Sequence, residues 1–242
     1  LLKKYADSVN YPGFEEKRMI PWEEIHRAKI PGQEGDIILL KRGTEFSIRT
    51  ADAELMNSRC HGSEEAMAEF TCRRIKEKSG VRMLIGGLGM GYTLAGALEQ
   101  SKPDTRITVA ELIPAVVRWN REHLGYLAKM PLDDPRVSVR TEDVATIIAQ
   151  TKSAWDAILL DVDNGPDGLT QSANNRLYGR LGLETSFSAL CPGGVLAIWS
   201  SAPDPAFTRR LKQCGFQTET IIVRARKPGK GARHTIWLAT KP

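Results

Sequence analysis

The chain has 242 residues, 41% of them hydrophobic and 26% charged, with a formal net charge of +5. That length allows one well-buried core with a small appendage, and the composition excludes disordered and fibrous classes. No apolar stretch approaches the ~20 residues that span a bilayer, so no membrane association is expected. The four cysteines, Cys60, Cys72, Cys191 and Cys214, lack the paired spacing of zinc or redox motifs. They read as reduced thiols of a cytoplasmic protein. Residues 1–5 lack the apolar run of a signal peptide, and without an initiating Met further sequence upstream is expected.

Along the chain, residues 7–31 are rich in Pro, Gly and charge and read as a loose lead-in. Residues 36–40 (Asp-Ile-Ile-Leu-Leu) are strand-like, and 45–50 alternate Phe46 and Ile48 with polar residues. Arg42-Gly43-Thr44 between them is turn chemistry, and Ala51-Asp52-Ala53 allows a second turn before Glu54-Leu55-Met56. Residues 1–60 are therefore expected to hold the lead-in and a small antiparallel β element, with 61–242 forming the larger α/β domain.

From Gly62 the pattern changes. Ser63 is placed as a helix N-cap, with Ala66, Met67, Phe70 and Ile75 on one apolar face. Strands follow at 81–85, 106–111, 136–140, 157–161, 195–200, 218–223 and 234–240. Between them helices start at about Tyr92, Pro114, Asp143, Ala173 and Pro205. Pro114 suits a first helical turn, where its missing N–H costs nothing. Such alternation specifies a doubly wound, mostly parallel sheet, here with seven strands. The last two are joined by a loop and not a helix, so the final strand is antiparallel.

The run Gly86-Gly87-Leu88-Gly89-Met90-Gly91 joins the first strand of this sheet to a helix. Glycines 87, 89 and 91 can adopt positive φ and let a ligand approach the backbone, while the helix aims free N–H groups and a positive dipole end at the turn. This is a cradle for a nucleotide-like ligand. Ligands in open α/β sheets bind at the carboxyl ends of the strands, which singles out the residues just after each. Glu111, with Leu112 beside it, follows the second strand about twenty residues past the turn, where an acid grips ribose hydroxyls. Glu142 and Asp143 follow the third, where a carboxylate can take an adenine amino group or cap the next helix. Asp161, Asp163, Asn164 and Asp167 follow the fourth, an acidic loop able to bind an amine cation and accept its proton.

The glycine run, Glu111, Asp134-Pro135-Arg136-Val137, Asp143 and the segment from Trp155 to Asp161 together resemble the spermidine synthase group. These are aminopropyltransferases on a class I methyltransferase-like Rossmann fold. His61-Gly62-Ser63-Glu64-Glu65 sits where that group begins its first helix after a small β domain. The resemblance implies S-adenosylmethionine or its decarboxylated form as co-substrate, no metal, a small-molecule amine or methyl acceptor, and a possible homodimer. It places the nucleoside on Gly86, Gly87, Gly89, Gly91, Glu111, Leu112, Glu142, Asp143 and Asp161. Asp161 and Asp163 would do the chemistry, and His61, Glu64, Glu65, Asn164 and Trp199 would line the acceptor side. The group's turn is Gly-Gly-Gly-Asp-Gly-Gly, and Gly89 stands at its acid. Asn164 stands at its second loop acid, and Ala68 and Glu69 stand at its first-helix tyrosine and polar neighbour.

Three functions are thereby set against each other. The leading one is aminopropyl transfer to an amine, with Asp161 as proton acceptor. The second is methyl transfer from intact S-adenosylmethionine to a small molecule or nucleic acid, favoured by the missing acid at Gly89. The third is a non-catalytic nucleoside- or partner-binding module. The basic run 224–233 could contact phosphates, but without interleaved aromatics it reads first as a solvated hairpin. The histidines show no metal-ligand spacing.

Overall fold

The computed structural model describes residues 20–162, 176–226 and 230–242. Four short strands, β1 (Glu23–Lys29), β2 (Asp36–Arg42), β3 (Glu45–Arg49) and β4 (Glu54–Asn57), form an antiparallel sheet in chain order. Strand β1 falls inside the stretch expected to be a loose lead-in. Its sequence, Glu-Glu-Ile-His-Arg-Ala-Lys, is mostly charged, and a bulge between Glu24 and His26 breaks the alternation that would have marked it. Pairing with β2 and the packing of Ile25 and Ala28 on the core hold it in place. Ile37, Leu39, Phe46 and Ile48 of the small sheet belong to the same buried cluster as Met67 and Met83.

Helix α1 (Gly62–Arg74) begins before Ser63; His61 occupies the N-cap position and makes no side-chain cap bond. Ser63 is thus not the N-cap. It lies within the first turn, fully buried, and its hydroxyl is used elsewhere.

The large sheet comprises β5 (Arg82–Gly86), β6 (Arg106–Ala110), β7 (Val137–Arg140), β8 (Trp155–Leu160), β9 (Leu190–Ser200), β10 (Gln217–Arg226) and β11 (Lys230–Thr240). Their order is β10-β11-β9-β8-β5-β6-β7; β11 runs antiparallel to both β10 and β9, and the other pairs are parallel. This is the expected doubly wound topology. Its helices are α2 (Tyr92–Gln100), α3 (Pro114–Trp119, continued by a π turn over Asn120–Leu124), α4 (Val144–Ala149), α5 (Arg180–Ala189) and α6 (Pro205–Gln213). The expected helix start at Ala173 lies outside the described residues.

Leu84 and Ile85 of β5 and Ile158 and Leu159 of β8 have no exposed surface, as the central strands of a sheet covered on both faces must. Each such side chain contributes roughly 1.5–3 kcal/mol of burial. The chain winds outward from β5 to β7 on one side and from β8 to β9 on the other. The crevice at the carboxyl ends of β5 and β8 is therefore the topological switch point where ligands of such sheets sit.

Candidate active site

The glycine turn leaves β5 with φ of +86° at Gly87, +53° at Gly89 and +85° at Gly91. All three take the left-handed conformations the sequence called for. What the glycines make room for, however, is largely the protein itself. A Cβ on Gly87 would lie 2.4 Å from the backbone oxygen of Asp161, and one on Gly89 would lie 2.9 Å from Met56 Sδ. Met56 reaches over from β4, and its sulfur accepts the Met90 N–H at 3.2 Å. Asn120, in the π turn, donates its amide to the Gly89 carbonyl at 2.8 Å. None of Met56, Asn120 and the backbone of Asp161 is signalled by the glycine motif.

Glu111 is buried at the end of β6. Its carboxylate accepts the Leu88 N–H and the Ile113 N–H, each at 2.9 Å, which ties the glycine turn to the start of α3. Leu112 beside it is 41% exposed, an apolar surface at the strand ends. Asp143 caps α4 by accepting the Ala145 N–H at 2.8 Å and also pairs with Arg176 at 3.0 Å. Glu142 pairs with Arg140 at 2.5 Å.

Asp161 stands at the end of β8, its backbone N–H bound to Gly86 O at 2.9 Å and its carboxylate receiving the Thr93 hydroxyl at 2.7 Å. Desolvation pushes its carboxyl above the ordinary range. Glu64, from the first turn of α1, is only 6% exposed. Burial, then the charge of Asp161, raises its carboxyl to about 7. Ser63 donates its hydroxyl to Glu64 Oε2 at 2.6 Å and lies 2.8 Å from His234 Nδ1. The His234 ring packs edge-on against Trp199, with centroids 4.7 Å apart. Two acids, a serine, a threonine, a histidine and a tryptophan from five elements thus gather beside the glycine turn.

His61 and Glu65 line a neighbouring groove. His61 stacks on Tyr92 with centroids 4.2 Å apart, and its Nδ1 lies 2.7 Å from Glu65 Oε1. That groove, of about 410 Å³, is also lined by Glu69, Glu99 and Lys129, none of them from the glycine turn or the β8 end. Ala68 is buried one turn below Glu64 against Gly96 of α2, and Glu69 pairs with Arg73. Helix α1 therefore sets Glu64 against Asp161, while Ala68 and Glu69, at the family's tyrosine and its polar neighbour, are turned to α2 and Arg73. Asp163, Asn164 and Asp167 lie outside the described residues. In the basic hairpin, Arg224 bonds to Gly231 O and Arg226 to Cys60 Sγ. Among the described residues, no group of three or more His, Cys, Asp or Glu could hold a metal ion, and no helix is long and apolar enough to cross a membrane.

The sign of the Glu64 shift sets a pH dependence. Its carboxyl lies near 4.5 when exposed and near 7 in the folded protein. The folded state therefore holds this proton more tightly, and the stabilisation is lost as pH rises through that interval. Glu64→Gln is expected to melt at a higher temperature than the unaltered protein at pH 8, with the two converging below pH 4.5. Equal melting temperatures at pH 8 in calorimetric scans would contradict this placement of Glu64.

A family model described as the spermine/spermidine synthase domain matches residues 62–211, from the start of α1 into α6. The chain belongs to this family. The matched segment of this spermine/spermidine synthase family member contains the glycine turn, Glu111, Asp143 and Asp161, but neither the small sheet nor His234. Polyamine aminopropyltransferase 2 of Pseudomonas aeruginosa is 33% identical over 120 residues, which cover 48% of this chain and 32% of that protein. A polyamine aminopropyltransferase of Synechococcus is 26% identical over 143 residues, covering 58% of this chain and 45% of its own length. The chain thus spans less than half the length of these curated relatives. In fold, it is similar to spermidine synthase from Thermotoga maritima with a TM-score of 0.72, at 17% identity, over 90% of this chain and 73% of that one.

Proposed function

We propose that this chain transfers an aminopropyl group from decarboxylated S-adenosylmethionine to an amine. The observation that carries this reading is the pair of acids adjoining the glycine turn, Glu64 buried and Asp161 partly buried. Carboxylates buried without a cation are costly and take up protons instead, so the pair favours an ammonium group. The residues present also fit a nucleoside. Glu111 stands at the carboxyl end of β6 with both carboxylate oxygens turned to the glycine turn and the start of α3, where an acid can take ribose hydroxyls. Leu112 offers an exposed apolar face to a base.

When bound, the co-substrate supplies a sulfonium whose neighbouring carbon is the electrophile. Asp161 accepts the proton of the incoming amine as the new C–N bond forms and the C–S bond breaks, leaving a neutral thioether nucleoside. The Thr93 hydroxyl holds the accepting carboxylate in place. Glu64 offers the acceptor's ammonium group a second acid, from the first turn of α1. Much of the rate then comes from alignment and proton removal.

A second reading, methyl transfer from intact S-adenosylmethionine, is favoured by Gly89, where no acid would repel the ligand's carboxylate. Calorimetry with the intact form, the decarboxylated form and methylthioadenosine separates them. Tighter binding of the decarboxylated form is expected; preference for the intact form would overturn aminopropyl transfer. Binding of none would leave a partner-binding module. Glu111→Ala removes any ribose grip and leaves the Leu88 and Ile113 N–H groups unpaired, at about 1.5–3 kcal/mol per charged hydrogen bond. It is expected to weaken methylthioadenosine by roughly a hundredfold; unchanged affinity would remove Glu111 from the site.

A further inference from the structure

Glu64 is linked through Ser63 to His234, a residue 171 positions away in sequence. We propose that Ser63 and His234 form a proton relay that drains the Glu64–Asp161 pair when a cationic amine enters. The inference rests on the amine-transfer reading and adds two positioning residues to it. His234 belongs to β11, outside the segment that matches the family model.

The geometry allows two arrangements of one chain. With the proton on Glu64, its O–H donates to Ser63 Oγ and the Ser63 hydroxyl donates to His234 Nδ1. With the proton passed on, the Ser63 hydroxyl donates to the Glu64 carboxylate across the same 2.6 Å contact, and the Nδ1–H of His234 donates to Ser63. One O–H bond breaks at Glu64, one forms and one breaks at Ser63, and one N–H bond forms at His234. The proton then leaves from the other ring nitrogen. His234 suits this duty because it is half-buried, and burial lowers its pKa, so it gives the proton up again. Its Trp199 contact fixes the ring plane.

The groups facing Glu64 are consistent with a proton stored there. They are Glu65 on its own helix, Asp161 from the end of β8, Tyr92 from α2, and Ser63 with His234 behind it. Charge on any of the first three opposes charge on Glu64. An entering ammonium reverses that balance and expels the proton. With the Glu64 carboxyl near 7, about half a proton should leave per amine bound at pH 7.

The test is calorimetry of 1,4-diaminobutane binding in buffers of different ionisation heat, with steady-state kinetics of the unaltered protein, Ser63→Ala and His234→Ala. The unaltered protein is expected to release protons on binding. Both variants should lose about tenfold in kcat with little change in KM, their pH–rate profiles should shift, and imidazole should restore His234→Ala. Proton release should also appear as a change in the His234 ring resonances on adding diamine, which needs no variant to fold. Diamine binding without proton release or a His234 response, or wild-type kcat and pH profile in both variants, overturns the relay and leaves aminopropyl transfer standing. Absence of any diamine binding by the unaltered protein overturns both.

Discussion

Asp161→Asn is expected to reduce aminopropyl transfer by about a thousandfold, the middle of the range for loss of a positioned acid–base group, while methylthioadenosine binds with nearly unchanged affinity. The amide keeps the shape of the side chain and can still accept the Thr93 hydroxyl, so the end of β8 keeps its geometry. What is lost is the carboxylate that, in the proposed reaction, accepts the amine's proton. Asparagine cannot take up that proton at any working pH, so raising the pH should recover rate only as far as the free amine becomes available in solution. Single-turnover kinetics beside calorimetry would check both halves. Retention of more than about a tenth of the rate would assign proton removal to another group.

The second large effect is on stability. Gly87→Ala would place a Cβ 2.4 Å from the Asp161 backbone oxygen at a φ of +86°. A left-handed backbone costs a non-glycine residue about 1–3 kcal/mol, and forced overlap in a packed interior costs about 1–3 kcal/mol more. The obstacle is backbone at the junction of β5 and β8, which cannot rotate away as a side chain would. A loss of about 4 kcal/mol is expected, which for a chain of this size lowers the melting temperature by roughly 10 °C. Urea denaturation would measure it. A change under about 1 kcal/mol would show that the β8 end moves freely past the turn.

Much of the fold was legible because its signals are local. The apolar runs of β5 and β8, the glycine turn after β5 and Pro114 at a helix start each carry their meaning within a few residues. The same holds for Glu111 and Asp143, each placed just after a strand. Strand β1 was hidden because charge and a bulge erase its alternation, and it holds its shape by pairing with β2. The partners of Glu64 were hidden for a different reason. Ser63 is a common helix-start residue, and nothing near it signals that its hydroxyl meets His234 of β11. Ala68 was matched to a family position by sequence neighbourhood, whereas helical rotation puts Glu64 toward Asp161. The acids of the loop after Asp161 fall outside the described residues, so the acceptor side rests on α1 and β11.

The contact of Met56 with the Met90 N–H would give the small sheet a share in the affinity for any ligand the glycine turn holds. A nucleoside that tightens the glycine turn must also tighten the seat of β4, and any opening of β4 releases the N–H group that Met56 occupies. The two events are thermodynamically linked. Ligand should therefore slow amide exchange in β3 and β4 as well as in the turn, far from any atom it touches.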